Sequence, residues 1–344
     1  MKRITRRTFS VAATAGLLSP LLPNLQGAIR IPRRPFGKTG IEVTMVGLGG
    51  GGRFFEAVPN DEAGGELVRQ VIDRGIEYIE TAANYGPPDD TNRSERRIGL
   101  AMTTHRAKVF LETKIDARDY DGAMREIENS LKQFQTDHID LLLHHAFFRK
   151  EEVDQALASN GAEKAIRKMV DQKAVRFRGF SCHSPALALQ TIPRIEPDGV
   201  QFPINATRMP NFEAEVLPFC KSRGIAVNAM KTCGHGFFTK AALTPGFDSR
   251  GLTDTHPEEH RFAPPAEVFE RTGLPTPTEF MRYALSLPLT TVVVGIESVE
   301  TMESVLRGVA GFKVLSAAEM KSIHERSQPL ANTGYWIPRQ GLPA

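Results

Sequence analysis

Residues 78–86, "YIETAANYG", end an apolar run with a carboxylate, Glu80, and place Tyr85 five residues later. An acidic residue at such a position can bind the ribose of a dinucleotide in a Rossmann fold, or it can orient a catalytic group in another fold. The upstream residues 47–52, "GLGGGG", fit the G-x-G-x-x-G phosphate-binding pattern and favour the first interpretation. The rest of the chain has to decide between the two.

The segment after these glycines argues against a Rossmann fold. That fold needs a helix that opens at the third glycine, but Gly52 is followed by "RFFEAVPNDEAGG", with Pro59 before a helical pattern that begins at Asp61. Glycines at the end of a strand also let the backbone approach a ligand closely. We therefore expect Gly49 and Gly50 to be cofactor-binding residues of a different fold.

Short apolar runs alternate with amphipathic stretches along the chain, which predicts repeated βα units. The strands are expected at residues 42–48, 77–81, 109–114, 139–143, 176–181, 199–202, 226–230 and 291–294. The helices are expected at residues 61–74, 94–103, 120–133, 152–171, 185–191, 214–222, 278–286 and 298–309. Eight units match an α/β fold of the (β/α)8 TIM barrel type, whereas a Rossmann domain uses about six strands. We expect one barrel domain over residues 29–344, in which the Pro/Gly-rich residues 234–277 form a loop that shapes the substrate pocket.

The ends of the second, third and fourth predicted strands carry groups that a barrel would bring to one mouth. These groups are Glu80, Tyr85, Lys114 and His145. A tyrosine with a pKa near 10 is a poor acid at neutral pH, but a neighbouring ammonium favours its phenolate, and a carboxylate keeps that ammonium charged. The cluster therefore predicts a general acid for carbonyl reduction.

The first 28 residues are predicted to be a Tat-type signal peptide. The stretch "TRRTFSVAATAGLLSPLL" at residues 5–22 has a twin arginine before an apolar run that is short for a bilayer span. Cleavage is expected near Gly27 or Ala28, so that the mature protein is periplasmic or otherwise extracytoplasmic. The Tat export machinery is the expected partner, and no stable membrane span is expected after processing. An uncleaved anchor and a disordered basic leader are the alternatives.

Composition excludes two other classes of protein. The formal charge of +3 is small, and part of it lies in the leader, so no nucleic-acid-binding face is expected. The three cysteines, Cys182, Cys220 and Cys233, have no C-x-x-C spacing, so neither a disulfide framework nor a cysteine metal site is expected. Residues 256–260, "HPEEH", match a metal motif that requires a helix, but flanking prolines favour a loop. We expect no bound metal.

Seven segments resemble the aldo-keto reductase family in their order and approximate spacing. They are "RPFGKTGIEVTMVGLG" (34–49), "YIETAANYGPPDDTNRSERRIGLAM" (78–102), "VFLETK" (109–114), "DHIDLLLHH" (137–145), "VRFRGFS" (175–181), "GVQFPIN" (199–205) and "TTVVVGIESVETM" (290–302). The resemblance implies a barrel that binds NADPH, or less often NADH, in extended form. It also implies hydride transfer to a carbonyl carbon with a tyrosine as the proton donor.

The family's catalytic tetrad of Asp, Tyr, Lys and His maps onto Glu80, Tyr85, Lys114 and His145. Glu80 replaces the aspartate, and its extra methylene either pushes the lysine towards the substrate or makes the carboxylate fold back. His144 and His145 point to opposite faces of a strand. The family pattern selects His145 for the mouth, so His144 is expected to pack outward or to form a structural hydrogen bond.

The resemblance also implies the cofactor-binding residues. Ser181 and Gln201 match residues that bind the nicotinamide carboxamide, Cys182 replaces an asparagine, and Met230 replaces an aromatic ring that stacks on the nicotinamide. The remaining cofactor-binding candidates are Lys231, Gly295, Glu297 and Ser298. Since Glu297 and Glu300 follow the eighth strand, where the family reads the 2′-phosphate, NAD(H) is favoured over NADP(H).

The predicted function is therefore an NAD(P)(H)-dependent oxidoreductase that acts on a small carbonyl or sugar-like substrate. Export leaves this prediction with a difficulty, because the periplasm has no free nicotinamide pool. Two alternatives remain open: a nucleotide-binding or sensor module without turnover, and redox-neutral sugar chemistry on tightly held NAD.

Overall fold

The computed structural model describes residues 30–236, 238, 259–262, 266–271, 273–331 and 334–338. Its strands are β1 (Arg33–Pro35), β2 (Glu42–Thr44), β3 (Val46–Gly49), β4 (Tyr78–Glu80), β5 (Phe110–Ile115), β6 (Ile139–Phe147), β7 (Val175–Cys182), β8 (Gly199–Pro203), β9 (Ala226–Met230), β10 (Glu259–Phe262), β11 (Thr291–Gly295) and β12 (Gly334–Pro338). Strands β3 to β9 and β11 form a closed barrel in which β11 pairs with both β3 and β9. Every neighbouring pair in this barrel is parallel.

The closed barrel confirms the predicted (β/α)8 fold class. Each of the eight predicted strands overlaps one barrel strand. A Rossmann nucleotide site lies where the strand order of an open sheet reverses, and a closed barrel has no such point. The first predicted strand, residues 42–48, was wrong in one respect. The chain turns at Met45, so that β2 pairs antiparallel with β1 while β3 enters the barrel.

The hairpin of β1 and β2 closes the end of the barrel where the strands begin. Phe36, between the two strands, is fully buried, and its ring centroid lies 4.8 Å from that of Phe110. Phe110 in turn stacks on Tyr78, with the ring centroids 5.0 Å apart. This aromatic plug leaves the carboxyl ends of the strands as the mouth of the barrel.

The helices are α1 (Gly52–Ala57), α2 (Asp61–Asp73), α3 (Arg93–His105), α4 (Tyr120–Phe134), α5 (Lys150–Ala156), α6 (Ala162–Asp171), α7 (Pro185–Ile195), α8 (Val216–Arg223), α9 (Ala266–Glu270), α10 (Pro277–Leu285), α11 (Val299–Val309) and α12 (Ala317–Ser327). Helix α4 shows why they form. Ala123, Ile127 and Phe134 bury one face, and the Asp119 carboxylate accepts a hydrogen bond from the Gly122 amide at 2.8 Å as the N-cap.

Two helix predictions needed correction, and helices α9 and α12 were not predicted. The expected helix at 152–171 is two helices, because the chain turns back at Gly161, where a Cβ atom would lie 2.2 Å from the Ala156 carbonyl oxygen. Helix α1 begins at Gly52, so the expectation that no helix precedes Asp61 was wrong, although the barrel still excludes the Rossmann fold. Helix α12 starts with a Ser316 capping box.

Several predicted features fall on residues that lie outside the described part of the chain. They include the leader at residues 1–28 and much of the loop at 234–277, so the predicted domain division and pocket loop stay predictions. Of the "HPEEH" motif, only Glu259 and His260 are described, and they lie in strand β10, which pairs with β12. None of the helices in the described ranges combines the length and the apolar character that crossing a bilayer requires.

Candidate active site

Three neighbouring strands and one loop bring the four predicted catalytic side chains together. Glu80 ends β4, Lys114 lies near the end of β5, and His145 lies near the end of β6. Tyr85 follows β4 in a turn, where its carbonyl oxygen accepts a hydrogen bond from the Ser94 amide at 2.9 Å. The structure therefore brings these four side chains together at one rim, and their catalytic roles stay predictions.

Lys114 is the centre of this cluster. Its side chain is fully buried, and Nζ donates hydrogen bonds to Glu80 Oε1 and, at 2.8 Å, to the Thr81 carbonyl oxygen. The same Nζ lies 5.0 Å from the centroid of the Tyr85 ring. An ammonium held this close to a phenol favours the phenolate, since the desolvated positive charge stabilises the negative one.

Glu80 reaches the lysine despite its extra methylene. Its second oxygen, Oε2, lies 3.5 Å from the position that a Cβ atom would take at Gly49. The longer carboxylate thus packs against a glycine on the neighbouring strand, with Oε1 directed at Lys114.

His145 completes the cluster on the other side of Tyr85. The two rings meet edge to face, with centroids 5.7 Å apart and an interplanar angle of 74°. Nδ1 of His145 lies 3.0 Å from Asp116 Oδ1. Because a carboxylate accepts hydrogen bonds, the proton of the neutral ring is placed on Nδ1. Burial lowers the pKa of His145, and Asp116 opposes this effect. In the neutral ring Nε2 is an acceptor, and it becomes a donor when the ring is protonated.

His144 faces the opposite way, as predicted. Its Nε2 lies 3.0 Å from Glu163 Oε2 on α6, and burial lowers the pKa of this histidine. His144 therefore joins the barrel to the helix layer.

A second acidic group lies within the barrel, and the sequence interpretation missed it. Glu112 is fully buried two residues before Lys114 and is the register partner of Glu80. Its Oε2 accepts hydrogen bonds from the Tyr78 hydroxyl and, at 3.0 Å, from Asn228 Nδ2. Burial raises the pKa of Glu112 to about 7. The signal was present in "LETK", because a period of two places both side chains on one face of the strand.

Gln201 fits the carboxamide of a nicotinamide. Both its amide atoms are buried, and within the described residues neither has a hydrogen-bond partner. A primary amide can satisfy both atoms by pairing with another primary amide, which relieves the cost of burying them alone. Ser181, on the neighbouring strand and in register with Gln201, accepts a hydrogen bond from the Ala146 amide at 2.7 Å and keeps its own hydroxyl proton to donate.

The structure gives less support to two other cofactor-binding candidates. Cys182 is fully buried. Its Sγ donates to the Ser184 carbonyl oxygen at 3.3 Å and accepts from the Ser184 amide at 3.4 Å, so the thiol already hydrogen-bonds to the protein backbone. Gly50 donates to the Glu80 carbonyl oxygen at 2.7 Å, and a Cβ atom at this position would lie 2.6 Å from Ser94 Oγ. Close packing therefore explains the glycine at position 50, whereas we had expected the approach of a ligand to require it.

The remaining candidates lie at the ends of β9 and β11. Met230 is buried in the cluster of apolar side chains inside the barrel, and Lys231 Nζ lies 2.8 Å from His183 Nε2. Ser298 caps α11 by accepting from the Thr301 amide at 3.2 Å. Glu297 accepts a 2.6 Å hydrogen bond from Arg53 Nη2, a partner that the sequence interpretation missed because 244 residues separate the two.

Arg53 lies across the end of β11. A Cβ atom at Gly295 would lie 3.1 Å from Arg53 Cβ and 3.3 Å from its Cγ, so the arginine stem covers this glycine. Among the residues that the structure describes, no three His, Cys, Asp or Glu side chains are grouped so that they could hold a metal ion.

Comparison with known proteins gives one family. Residues 46–327 match the family model described as "Aldo/keto reductase family". The chain is 24% identical over 241 residues to probable aldo-keto reductase 1 of Glycine max, covering 64% of this chain and 65% of the relative. It is 29% identical over 223 residues to aldo-keto reductase YhdN of Bacillus subtilis (strain 168), covering 60% and 62%. The alignments thus span slightly less than two thirds of these curated relatives.

Solved structures show the same fold. The holo form of aldo-keto reductase AKR11C1 from Bacillus halodurans superposes with a TM-score of 0.67 at 18% identity, over 86% of this chain and 96% of that one. The thermostable aldo-keto reductase Tm1743 in complex with the inhibitor epalrestat gives a TM-score of 0.64 at 21% identity, over 86% and 100%. At these identities the likeness supports the barrel architecture alone.

Proposed function

The chain belongs to the aldo/keto reductase family, and from this premise we propose that it is an NAD(P)(H)-dependent oxidoreductase that reduces an aldehyde or ketone, or oxidises the corresponding alcohol. The observation that carries the proposal is the position of Lys114, which is buried, bonded to Glu80 and 5.0 Å from the Tyr85 ring. Such a group serves proton transfer at a carbonyl oxygen.

In the reduction, Tyr85 donates its phenolic proton to the carbonyl oxygen of the substrate. Lys114 stabilises the phenolate that remains, and Glu80 holds Lys114 in place and keeps it charged. His145 orients the reacting oxygen, to which Nε2 donates when the ring is protonated, so that Tyr85 alone exchanges the proton with the substrate. In the alcohol oxidation, the Tyr85 phenolate takes the hydroxyl proton.

A bound nicotinamide would supply or accept the hydride in this chemistry. Gln201 and Ser181 are the groups in the barrel that would hold its carboxamide, because two amide atoms and one hydroxyl proton are available there. Met230, at the end of the next strand, would contact the ring through its thioether.

We further propose that NAD(H) is preferred over NADP(H). In this family the 2′-phosphate binds near the segment after the last barrel strand, and here Glu297 is held in that segment by Arg53. Arg53 is the cation that contacts Glu297 in the described structure, so a 2′-phosphate next to Glu297 would meet a carboxylate whose arginine is already paired.

Replacing Glu297 with glutamine is expected to shift cofactor preference towards NADPH. The variant removes the repelling carboxylate together with its ion pair to Arg53, so NADPH should bind about tenfold more tightly while NADH affinity changes little. Calorimetric titration of the full chain with each nucleotide measures both affinities.

The matched control is Glu300→Gln, which removes one exposed negative charge from the same end of α11 without touching Arg53. Its effect on NADPH should be small, since solvent screens an exposed charge. Equal gains in the two variants, or none in Glu297→Gln, would contradict the role of the Arg53 pair.

We propose that the protein is exported by the Tat route. The support is the twin arginine at Arg6 and Arg7 before a short apolar run. Replacing both arginines with lysine keeps the charge and is expected to leave the protein in the cytoplasm, which cell fractionation measures. Undiminished export of the double variant would refute this location.

The absorption spectrum of protein purified from its native compartment tests the function itself. Retained reduced nicotinamide that is oxidised when a panel of small aldehydes is added is the expected result. A nucleotide that never turns over, or the failure of added NADH and NADPH to bind at all, would refute the proposed oxidoreductase.

A further inference from the structure

Two buried carboxylates, Glu80 and Glu112, lie near one buried amine, Lys114, inside the described barrel. Glu80 and Glu112 are register partners on β4 and β5, and Lys114 lies two residues beyond Glu112 on the same face. All three side chains are buried, with exposed fractions of 4%, 0% and 0%. If all three were charged, one negative charge would remain without a counterion in a dry interior, and such a charge is costly.

The hydrogen bonds show which group is left unpaired. Lys114 donates to Glu80 and to the Thr81 carbonyl oxygen. Glu112 receives only neutral donors, since the Tyr78 hydroxyl and the Asn228 amide both bond to its Oε2. Its Oε1 is buried, and no residue of the described structure forms a hydrogen bond with it. A proton on Glu112 therefore belongs on Oε1, because Oε2 already accepts two hydrogen bonds.

We propose that Glu112 is a positioning residue that exchanges a proton near neutral pH and, through its charge, sets how strongly Lys114 assists Tyr85. The inference rests on the proposed function in one respect, namely that Tyr85 is the proton donor. While Glu112 is protonated, Glu80 is the one of these two carboxylates whose negative charge competes with a Tyr85 phenolate for Lys114. When Glu112 ionises, a second negative charge opposes the phenolate.

The groups that face Glu112 determine the pH at which it ionises. The groups that change the pKa of Glu112 are Tyr78 and Glu80 from β4, Lys114 from its own strand and the amide of Asn228 from β9. Its register partner on β6 is the apolar Leu141. Burial and Glu80 favour the protonated form, whereas Lys114, Tyr78 and Asn228 favour the ionised form. The balance puts the pKa of Glu112 at about 7, so its charge changes between about pH 6 and 8.

The direction of the effect follows from these charges. Carbonyl reduction needs a phenol that releases its proton readily, so the rate should fall about three- to tenfold as Glu112 ionises between about pH 6 and 8. Alcohol oxidation needs the phenolate. Because ionised Glu112 opposes the phenolate, the oxidation rate should begin to rise at a higher pH.

Glu112→Gln tests the proposal, because the amide has the shape of the protonated acid and cannot ionise. The ultraviolet titration of Tyr85, read as the difference from a Tyr85→Phe protein, should have its midpoint about one pH unit lower in Glu112→Gln than in the unaltered chain. This measurement needs no turnover. An unchanged midpoint would overturn the proposal, whatever the enzyme activity.

Tyr78→Phe is the matched second variant. It removes one hydrogen bond to Oε2 and no ionised side chain. Because that bond favours the ionised carboxylate, Glu112 should ionise at higher pH in this variant. Carbon-13 NMR of glutamate-labelled protein follows the Glu112 carboxyl, which is assigned by its loss in Glu112→Gln. A carboxyl that is ionised at about pH 5 in the unaltered chain, or that does not move in Tyr78→Phe, would overturn the proposal.

Failure of the proposed function would look different. A chain that binds no nicotinamide and reduces no carbonyl refutes the oxidoreductase, yet the tyrosine and carboxyl titrations still decide whether Glu112 holds a proton and influences Tyr85.

Discussion

Replacing Tyr85 with phenylalanine is expected to reduce carbonyl reduction by roughly 10²- to 10⁴-fold, the range that a positioned general acid contributes. The ring would keep its edge-to-face contact with His145 and its place near Lys114, so the barrel mouth should keep its shape. Only the phenolic proton is lost. The rate of nucleotide oxidation with a saturating aldehyde measures the effect.

Nucleotide affinity separates a lost acid from a damaged site. In Tyr85→Phe, the dissociation constants for NADH and NADPH should remain within about twofold, because the variant removes an interaction of the transition state. Tyr120→Phe is the control, since Tyr120 lies on the outer helix α4 and bonds to Lys168. Full turnover in Tyr85→Phe would remove this residue from the mechanism.

Replacing Lys114 with methionine should damage both activity and stability. Loss of the ammonium removes the group that stabilises the phenolate, so turnover should fall at least about 10²-fold. It also leaves Glu80 buried without its cation, and breaking a buried ion pair from one side costs about 3–5 kcal/mol of the free energy of unfolding. Urea denaturation of the full chain measures that loss.

A second substitution distinguishes the unpaired charge from simple loss of packing. The double variant Lys114→Met with Glu80→Gln carries no unpaired charge at this pair, so it should recover part of the stability but none of the activity. Lys108→Met is the control, because Lys108 pairs with Asp73 on the surface and should cost less than about 1 kcal/mol. A double variant no more stable than Lys114→Met would show that the two charges are not coupled.

The barrel could be predicted because its strands are short apolar runs of similar length, separated by amphipathic helices. The details that failed depend on contacts and turns that hydrophobic periodicity does not show. Residues 42–48 form one continuous run, and only the antiparallel pairing of β2 with β1 shows that the chain turns at Met45. The break at Gly161 involves a contact only five residues away, with the Ala156 carbonyl oxygen, and the Asn160-Gly161 pair is a turn signal that the apolar periodicity on both sides outweighed.

In the candidate site, too, some residues could be predicted from the sequence and others could not. Its four main side chains follow the ends of consecutive strands, so a barrel had to bring them together. Arg53, Asp116 and Glu112 were missed because their roles depend on which group they face: Glu297, His145 and the Lys114 pair. Gly50 is expected to bind the cofactor because it follows the end of a strand, and only three-dimensional contacts show that Ser94 packs against it.

The most direct test of the account is the transfer of deuterium from reduced nicotinamide labelled at carbon 4. With an aldehyde that the protein turns over, the alcohol product should carry deuterium on the former carbonyl carbon, and the Tyr85→Phe protein should form this product at least about a hundred times more slowly. An unlabelled alcohol, or labelled alcohol formed equally fast by both proteins, would contradict a hydride transfer assisted by the phenol beside Lys114.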